Sequence, residues 1–221
     1  MPPGGRGMPD ACALLYVHMN PPPGAEAEFH AWYDDHAAKR FALPGVLTAR
    51  RYWNVAPDGP RHLAWYDLED PAVLHSPEYL ALREREKVSD REFMGRLLLV
   101  DRRVYRALDI GRPWTAPWTD HAPYLVSMTM DPPAELVEDY HAWYLEEHIP
   151  MLMKVPGWRR IQRFEQVDGH APSFLAVHEI ESLDVFETDA FKAAVGTPWR
   201  DKVIGYVTRR ERLTFRLLRG Y

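Results

Sequence analysis

The chain has 221 residues, 46% hydrophobic and 27% charged, enough for a real core in one large domain or two of roughly 100 residues. Its net charge of −5, with Lys and Arg dispersed, argues against a nucleic-acid surface. No apolar run approaches the roughly 18 residues of a membrane span, and MPPGGRGMPDA lacks the apolar core of a secretion signal.

In chain order, residues 1–11 read as a flexible N-terminus. The strand CALLYVHM (12–19) follows and stops at a Pro-rich turn. Its Cys12 is the single cysteine, which excludes an internal disulfide, suits a reducing cytoplasm and reads as a small core residue rather than a nucleophile. AEAEFHAWYDDHAAKRF (25–41) has no internal Gly and places aromatics three and four apart, so it is a helix, broken by Pro44-Gly45. A strand over 46–54, the turn APDGP and the strand LAWYDLED (63–70) form a hairpin. Ser76-Pro77 then caps a helix, and DRRVYRAL (101–108) closes the unit as a strand.

After a Pro/Trp-rich linker (111–122) the order begins again. HAWYDDH (30–36) returns as HAWYLEEH (141–148), PGVLTARRYW (44–53) as PGWRRIQRFE (156–165), and LAWYDLED as LAVHEIES (175–182). The offset is 111 before the terminal histidine and 112 after it, because the second copy carries one extra residue. The halves are 12–110 and 123–221, each β-α-β-β-α-β. Both helices of such a unit lie on one side, so its bare sheet face must be covered, and the other half supplies the cover. The expected fold is α+β: two tandem ferredoxin-like repeats whose antiparallel sheets face each other in an intrachain α/β barrel. The pattern resembles the dimeric α/β-barrel superfamily, with two repeats in place of two subunits. The helix-borne WY-x-x-H or WY-x-x-x-H, followed by Pro-Gly and an Arg-containing strand, is most similar to its EthD-like branch.

Strand alternation puts Leu15, Val17 and Met19 on one face and Leu14, Tyr16 and His18 on the other; the second half repeats this with Val126, Met128 and Met130 against Leu125, Ser127 and Thr129. The apolar faces belong under the helices. The mixed faces, with Tyr16, His18, Ser127 and Thr129, belong between the sheets, where they either line a ligand cavity or satisfy one another. Tyr66 aligns with His178, each beside an alanine that leaves room for a ligand or for a close helix. Arg51 and Arg163 align and either clamp an anion or solvate an edge strand.

His141, Tyr144 and His148 form one helical stripe, and Phe29, Trp32 or Tyr33, and His36 occupy similar spacing. Trp32 and Trp143 read as core. His36 and His148 end their stripes, and a histidine there is either an acid–base group or a helix cap. The adjacent pairs Asp34-Asp35 and Glu146-Glu147 either raise the imidazole pKa or solvate the helix. The resemblance implies that such helix-terminal histidines lie near the barrel mouth and act as pocket or proton-transfer residues.

No HExxH, cysteine cluster, P-loop, GxGxxG or GxSxG occurs, so the expectation is no metal, haem or other cofactor. The resemblance implies a cofactor-independent lyase, isomerase or cyclase acting on a hydrophobic aromatic or polyketide-like molecule. His148 or His36 is the expected base, with Tyr144 or Tyr33 beside it and Arg51 or Arg163 as anion partner. The alternatives are a non-catalytic ligand-binding or auxiliary protein of a biosynthetic pathway, and a cofactor-free monooxygenase. The expected state is a cytoplasmic monomer (a pseudo-dimer) or a homodimer, with no membrane or nucleic-acid partner.

Overall fold

A computed structural model describes residues 11–115, 122–170 and 172–221. The expected flexible N-terminus therefore lies outside the described residues apart from Ala11, as do residues 116–121 of the expected linker. The first half runs β1 (Ala13–Asn20), α1 (Glu26–Phe41), β2 (Val46–Asn54), β3 (His62–Leu68), α2 (Pro77–Met94) and β4 (Leu99–Ala107). The second runs β5 (Tyr124–Asp131), α3 (Val137–Trp143), a π-helical turn (Tyr144–His148), α4 (Ile149–Leu152), β6 (Trp158–Asp168), β7 (Phe174–Ile180), α5 (Asp189–Val195), α6 (Pro198–Tyr206) and β8 (Arg209–Gly220). Among the described residues, no helix is long and apolar enough to cross a membrane.

Local chemistry sets these boundaries. Ser76 caps α2 by accepting from the Tyr79 N–H, and Thr188 caps α5 by accepting from the Phe191 N–H. Gly45 and Gly157 turn the chain from helix to strand at φ of +79° and +86°, a region that disfavours side chains. At Gly45 a Cβ would also meet Val73 Cγ2 at 2.6 Å. Gly196 and Pro198 separate α5 from α6, where the first half has the single helix α2.

Each half pairs its strands in the order 4-1-3-2. The two sheets then join, β2 to β8 and β4 to β6, into a closed eight-stranded antiparallel barrel, β1-β3-β2-β8-β5-β7-β6-β4. Closure leaves no sheet edge, and one chain covers both inner faces without a second copy. Apolar side chains under the helices form one cluster in each half, around Leu15, Phe29, Ala64 and Tyr66 in the first and around Val126, Trp143, Ala176 and Ile180 in the second.

The inward faces form a third cluster. Tyr16, Tyr52, Trp65, Tyr105, Phe164 and Phe215 are almost wholly buried there and fill the barrel centre. Charges close the two ends. At one end Arg50 pairs with Asp67 and, across the halves, with Glu179 at 3.0 Å, which also takes Arg160 at 3.2 Å. At the other end Arg103 pairs with Asp101 at 2.6 Å and with Glu211 at 3.0 Å.

Candidate active site

Tyr16, His18, Ser127 and Thr129 do face the barrel interior. The Tyr16 hydroxyl donates to Ser127 Oγ at 2.9 Å and lies 2.9 Å from His18 Nε2. These are duplicate strand positions meeting across the halves, and they satisfy one another. Burial pulls the His18 pKa down to about 3 and pushes the Tyr16 pKa far up, so both stay uncharged. Thr129 is fully buried and its Oγ1 has no protein partner.

Arg51 and Arg163 lie on the outer sheet faces, almost fully buried. Arg51 pairs with Asp34 and meets His30 Nδ1 at 2.8 Å. Arg163 pairs with Asp109 at 2.7 Å and meets His141 Nδ1 at 3.1 Å. Each guanidinium also lies over a tyrosine ring, Tyr33 at 5.0 Å or Tyr144 at 5.3 Å. Both arginines therefore staple a helix to its sheet, with their charge already matched.

A cleft opens in each half between the helices and the outer sheet face, rather than between the sheets. The first-half cleft, about 650 Å³, brings together Tyr33, His36 and Tyr66. The second-half cleft, about 190 Å³, brings together Tyr144, His148 and His178. The duplicated stripe thus delivers the same positions to both clefts. The two histidines lie under the helices against the sheet and not at a barrel mouth.

The polar environments of the clefts differ. In the first half, Tyr66 donates to Tyr33 at 3.2 Å, and burial pushes the Tyr33 pKa up to about 12. His36 Nδ1 lies 3.4 Å from Asp90 and 3.9 Å from Glu86, both from α2. Burial still lowers its pKa, against the pull of Asp90. His36, Glu86 and Asp90 bring their ligand atoms within 4.8 Å of one another, a set that suits a cation. Arg40 at 2.8 Å and Lys39 at 3.3 Å already neutralise Glu86, however.

In the second half His148 stacks on Trp143, centroids 4.3 Å apart and planes 22° off parallel. The Ala194 carbonyl accepts a hydrogen bond from the imidazole, while Nδ1 has no protein partner. The ring proton is accordingly assigned to Nε2 and the lone pair to Nδ1. Burial, with the Arg200 charge, drops the His148 pKa to about 3. His178, edge-on to Trp158 at 5.3 Å, is held at about 3 by burial and by the charges of His148 and Arg212.

The carboxylates beside these histidines in sequence play no part. Asp34 takes Arg51 and Arg219, Glu147 accepts from the Thr197 hydroxyl at 2.5 Å, and Glu146 is exposed. Four buried nitrogens on the wall of this one cleft have no partner among the described residues: Trp143 Nε1, His148 Nδ1, Trp158 Nε1 and His178 Nδ1. The rest of the wall includes Met128, Met130, Phe191 and Arg212. Sequence reasoning missed Trp158, Phe191 and Arg212. The alternation of β8, with Leu213 and Phe215 inward, placed Arg210 and Arg212 outward and was the available signal.

No protein-family model matches the sequence, and a comparison with curated proteins finds no match. Solved structures match across nearly the whole chain. An anthrone oxidase-like protein superposes with a TM-score of 0.63 at 14% identity, covering 95% of this chain and 92% of that one. A candidate monooxygenase from Fusobacterium nucleatum gives 0.63 at 9% identity, covering 95% and 94%. A mutant chlorite dismutase from Candidatus Nitrospira defluvii gives 0.61 at 10% identity, covering 95% and 92%. At such identities the likeness is one of fold, and the fold is the dimeric α/β barrel, here closed within one chain.

Proposed function

We propose that the protein is a cofactor-independent enzyme of the lyase, isomerase or cyclase type, acting on a hydrophobic aromatic or polyketide-like molecule in the second-half cleft. The reading rests on one observation: His148 Nδ1 is a buried, uncharged lone pair without a partner among the described residues, on a mostly apolar wall. His148 takes a proton from an acidic C–H or O–H of the substrate. The resulting imidazolium is sustained in this desolvated place by the anion it has just created. Tyr144, whose pKa burial lifts to about 12, stays protonated as a donor, and the Trp158 N–H is a second donor to the developing oxyanion. The helix-borne WY-x-x-x-H and the arginine strand behind it support an EthD-like lineage.

A second reading, cofactor-free oxygenation, is favoured by the neighbours described as anthrone oxidase-like or candidate monooxygenases. Deprotonation is shared by both readings. The carbanion would then attack dioxygen, leaving one oxygen atom in the product as a carbonyl and releasing the other as water.

The test is C–H to C–D exchange, followed by NMR in deuterated buffer, on aryl ketones with an acidic methylene. Wild type should catalyse exchange, His148→Ala should lose roughly 10²–10⁴-fold, and His36→Ala should stay near wild type. Equal rates in His148→Ala and wild type would sink the acid–base role and leave a ligand-binding protein. Oxygen uptake during turnover would select the oxygenase reading.

A further inference from the structure

The duplication supplies an internal control for the charges at each cleft. In the first half, Arg102 lies opposite Val17 in the β1–β4 register and pairs with Asp168 at 2.7 Å. Its counterpart Arg212, opposite Met128 in the β5–β8 register, has no carboxylate partner among the described residues. It lies over the Phe186 ring at 4.8 Å and borders the cleft. Two residues before it, Arg210 also borders the cleft without an ion-pair partner among the described residues. The first half has Val100 at the corresponding position, opposite Met19 as Arg210 is opposite Met130. Arg200 contributes a third guanidinium, whose only carboxylate among the described residues is its neighbour Asp201 at 3.4 Å. Among the described residues no Asp or Glu lines this cleft, whereas Asp90 and Asp168 line the first. Below these cations lie aromatic and methionine side chains. The volume of the cleft, about 190 Å³, is somewhat larger than the roughly 150 Å³ cavity that holds a benzene.

We infer that the second-half cleft takes an aromatic carboxylate of one or two rings, with the rings among Trp143, Trp158 and Phe191 and the carboxylate held by Arg212 and Arg210. Planar guanidinium groups match a carboxylate in paired hydrogen bonds. The inference rests on the same cleft as the proposed function but not on proton transfer. It narrows the substrate from a polyketide-sized molecule to one that fits the volume of this cleft.

The test is quenching of tryptophan fluorescence by 2-naphthoate, with naphthalene-2-carboxamide as the uncharged isostere. Wild type should bind the carboxylate at least tenfold more tightly than the amide. Arg212→Gln, at an exposed position, should lose that preference, and Arg102→Gln in the other half should keep it. In the series benzoate, 2-naphthoate, anthracene-2-carboxylate, affinity should peak at two rings. Equal binding of carboxylate and amide, or an unchanged preference in Arg212→Gln, overturns the anion site. Affinity still rising at three rings overturns the size limit. A carboxylate preference in wild type that Arg212→Gln loses, together with equal exchange rates in wild type and His148→Ala, would remove the acid–base role and leave the anion site standing.

Discussion

His62 is enclosed by Phe29, 4.4 Å away centroid to centroid, and by Trp53 at 4.9 Å, and neither ring nitrogen has a protein partner. Its pKa falls to about 3, with burial the largest cause and His30 and Arg51 adding repulsion. His18, His148 and His178 are held at about 3 as well, again by burial first. In the unfolded chain each titrates near 6.5. Between about pH 6.5 and 3 the unfolded state therefore binds protons that the folded state refuses. Stability is full above that window and falls with acidification, by about 1.4 kcal/mol per pH unit for each histidine at the steepest. Urea midpoints at pH 7.5 and 5 should differ accordingly, and His62→Phe should lose less between them than wild type. An identical loss would mean that His62 is charged in the folded protein. The histidine itself was plain in the sequence. Its burial was not, because a strand-initial position after an Arg carries no sign of an aromatic box assembled from β2 and α1.

At the scale of elements, the extra residue of HAWYLEEH becomes the π-helical turn over Tyr144–His148, in which the Ile149 N–H reaches back to the Tyr144 carbonyl. Such turns are rare, and many lie at functional sites. Here the extra residue sets His148 flat on Trp143, while His36 stays tilted by 39° against Trp32 at 4.8 Å. The length difference was legible in the sequence. A loop, a kink and a π turn were equally compatible with it, and only packing against β6, α5 and α6 selects the last. Deleting the exposed Glu146 should convert the turn to ordinary α-helix and rotate His148 by about 100° about the helix axis. The expected result is an unchanged far-UV spectrum, a small loss of melting temperature and loss of exchange activity to the His148→Ala level. Full activity in the deletion would show that the turn does not position the histidine.

Across the whole molecule, the barrel is held by contacts between halves that no single repeat can make. Arg50 on β2 reaches Glu179 on β7 while also holding Asp67, all three deeply buried. Arg50→Met would leave two buried carboxylates short of a cation, at a cost of about 3–5 kcal/mol. The double variant Arg50→Met/Asp67→Leu should recover part of that loss, because Glu179 keeps Arg160 and replacing both members of a buried pair is often close to neutral. Denaturant midpoints for the two variants decide this, and a double variant less stable than Arg50→Met alone would contradict it.

The sequence by itself determined the duplication, the order of strands and helices, and which face of β1 and β5 turns inward. Each follows from local periodicity, turn chemistry and the recurrence of costly residues such as Trp and His. It also marked His148, Tyr144 and His178 as positions to watch, because the stripe and the aligned strand singled them out. Only the tertiary structure decided where open space lies. Six large aromatic side chains from both halves meet in the barrel and fill it, so the clefts form under the helices instead. It also decided which cleft keeps its cations unpaired. Asp90 reaches His36 only once α1 and α2 pack on the same sheet, and Asp168, from the other half, reaches Arg102 only once the barrel has closed.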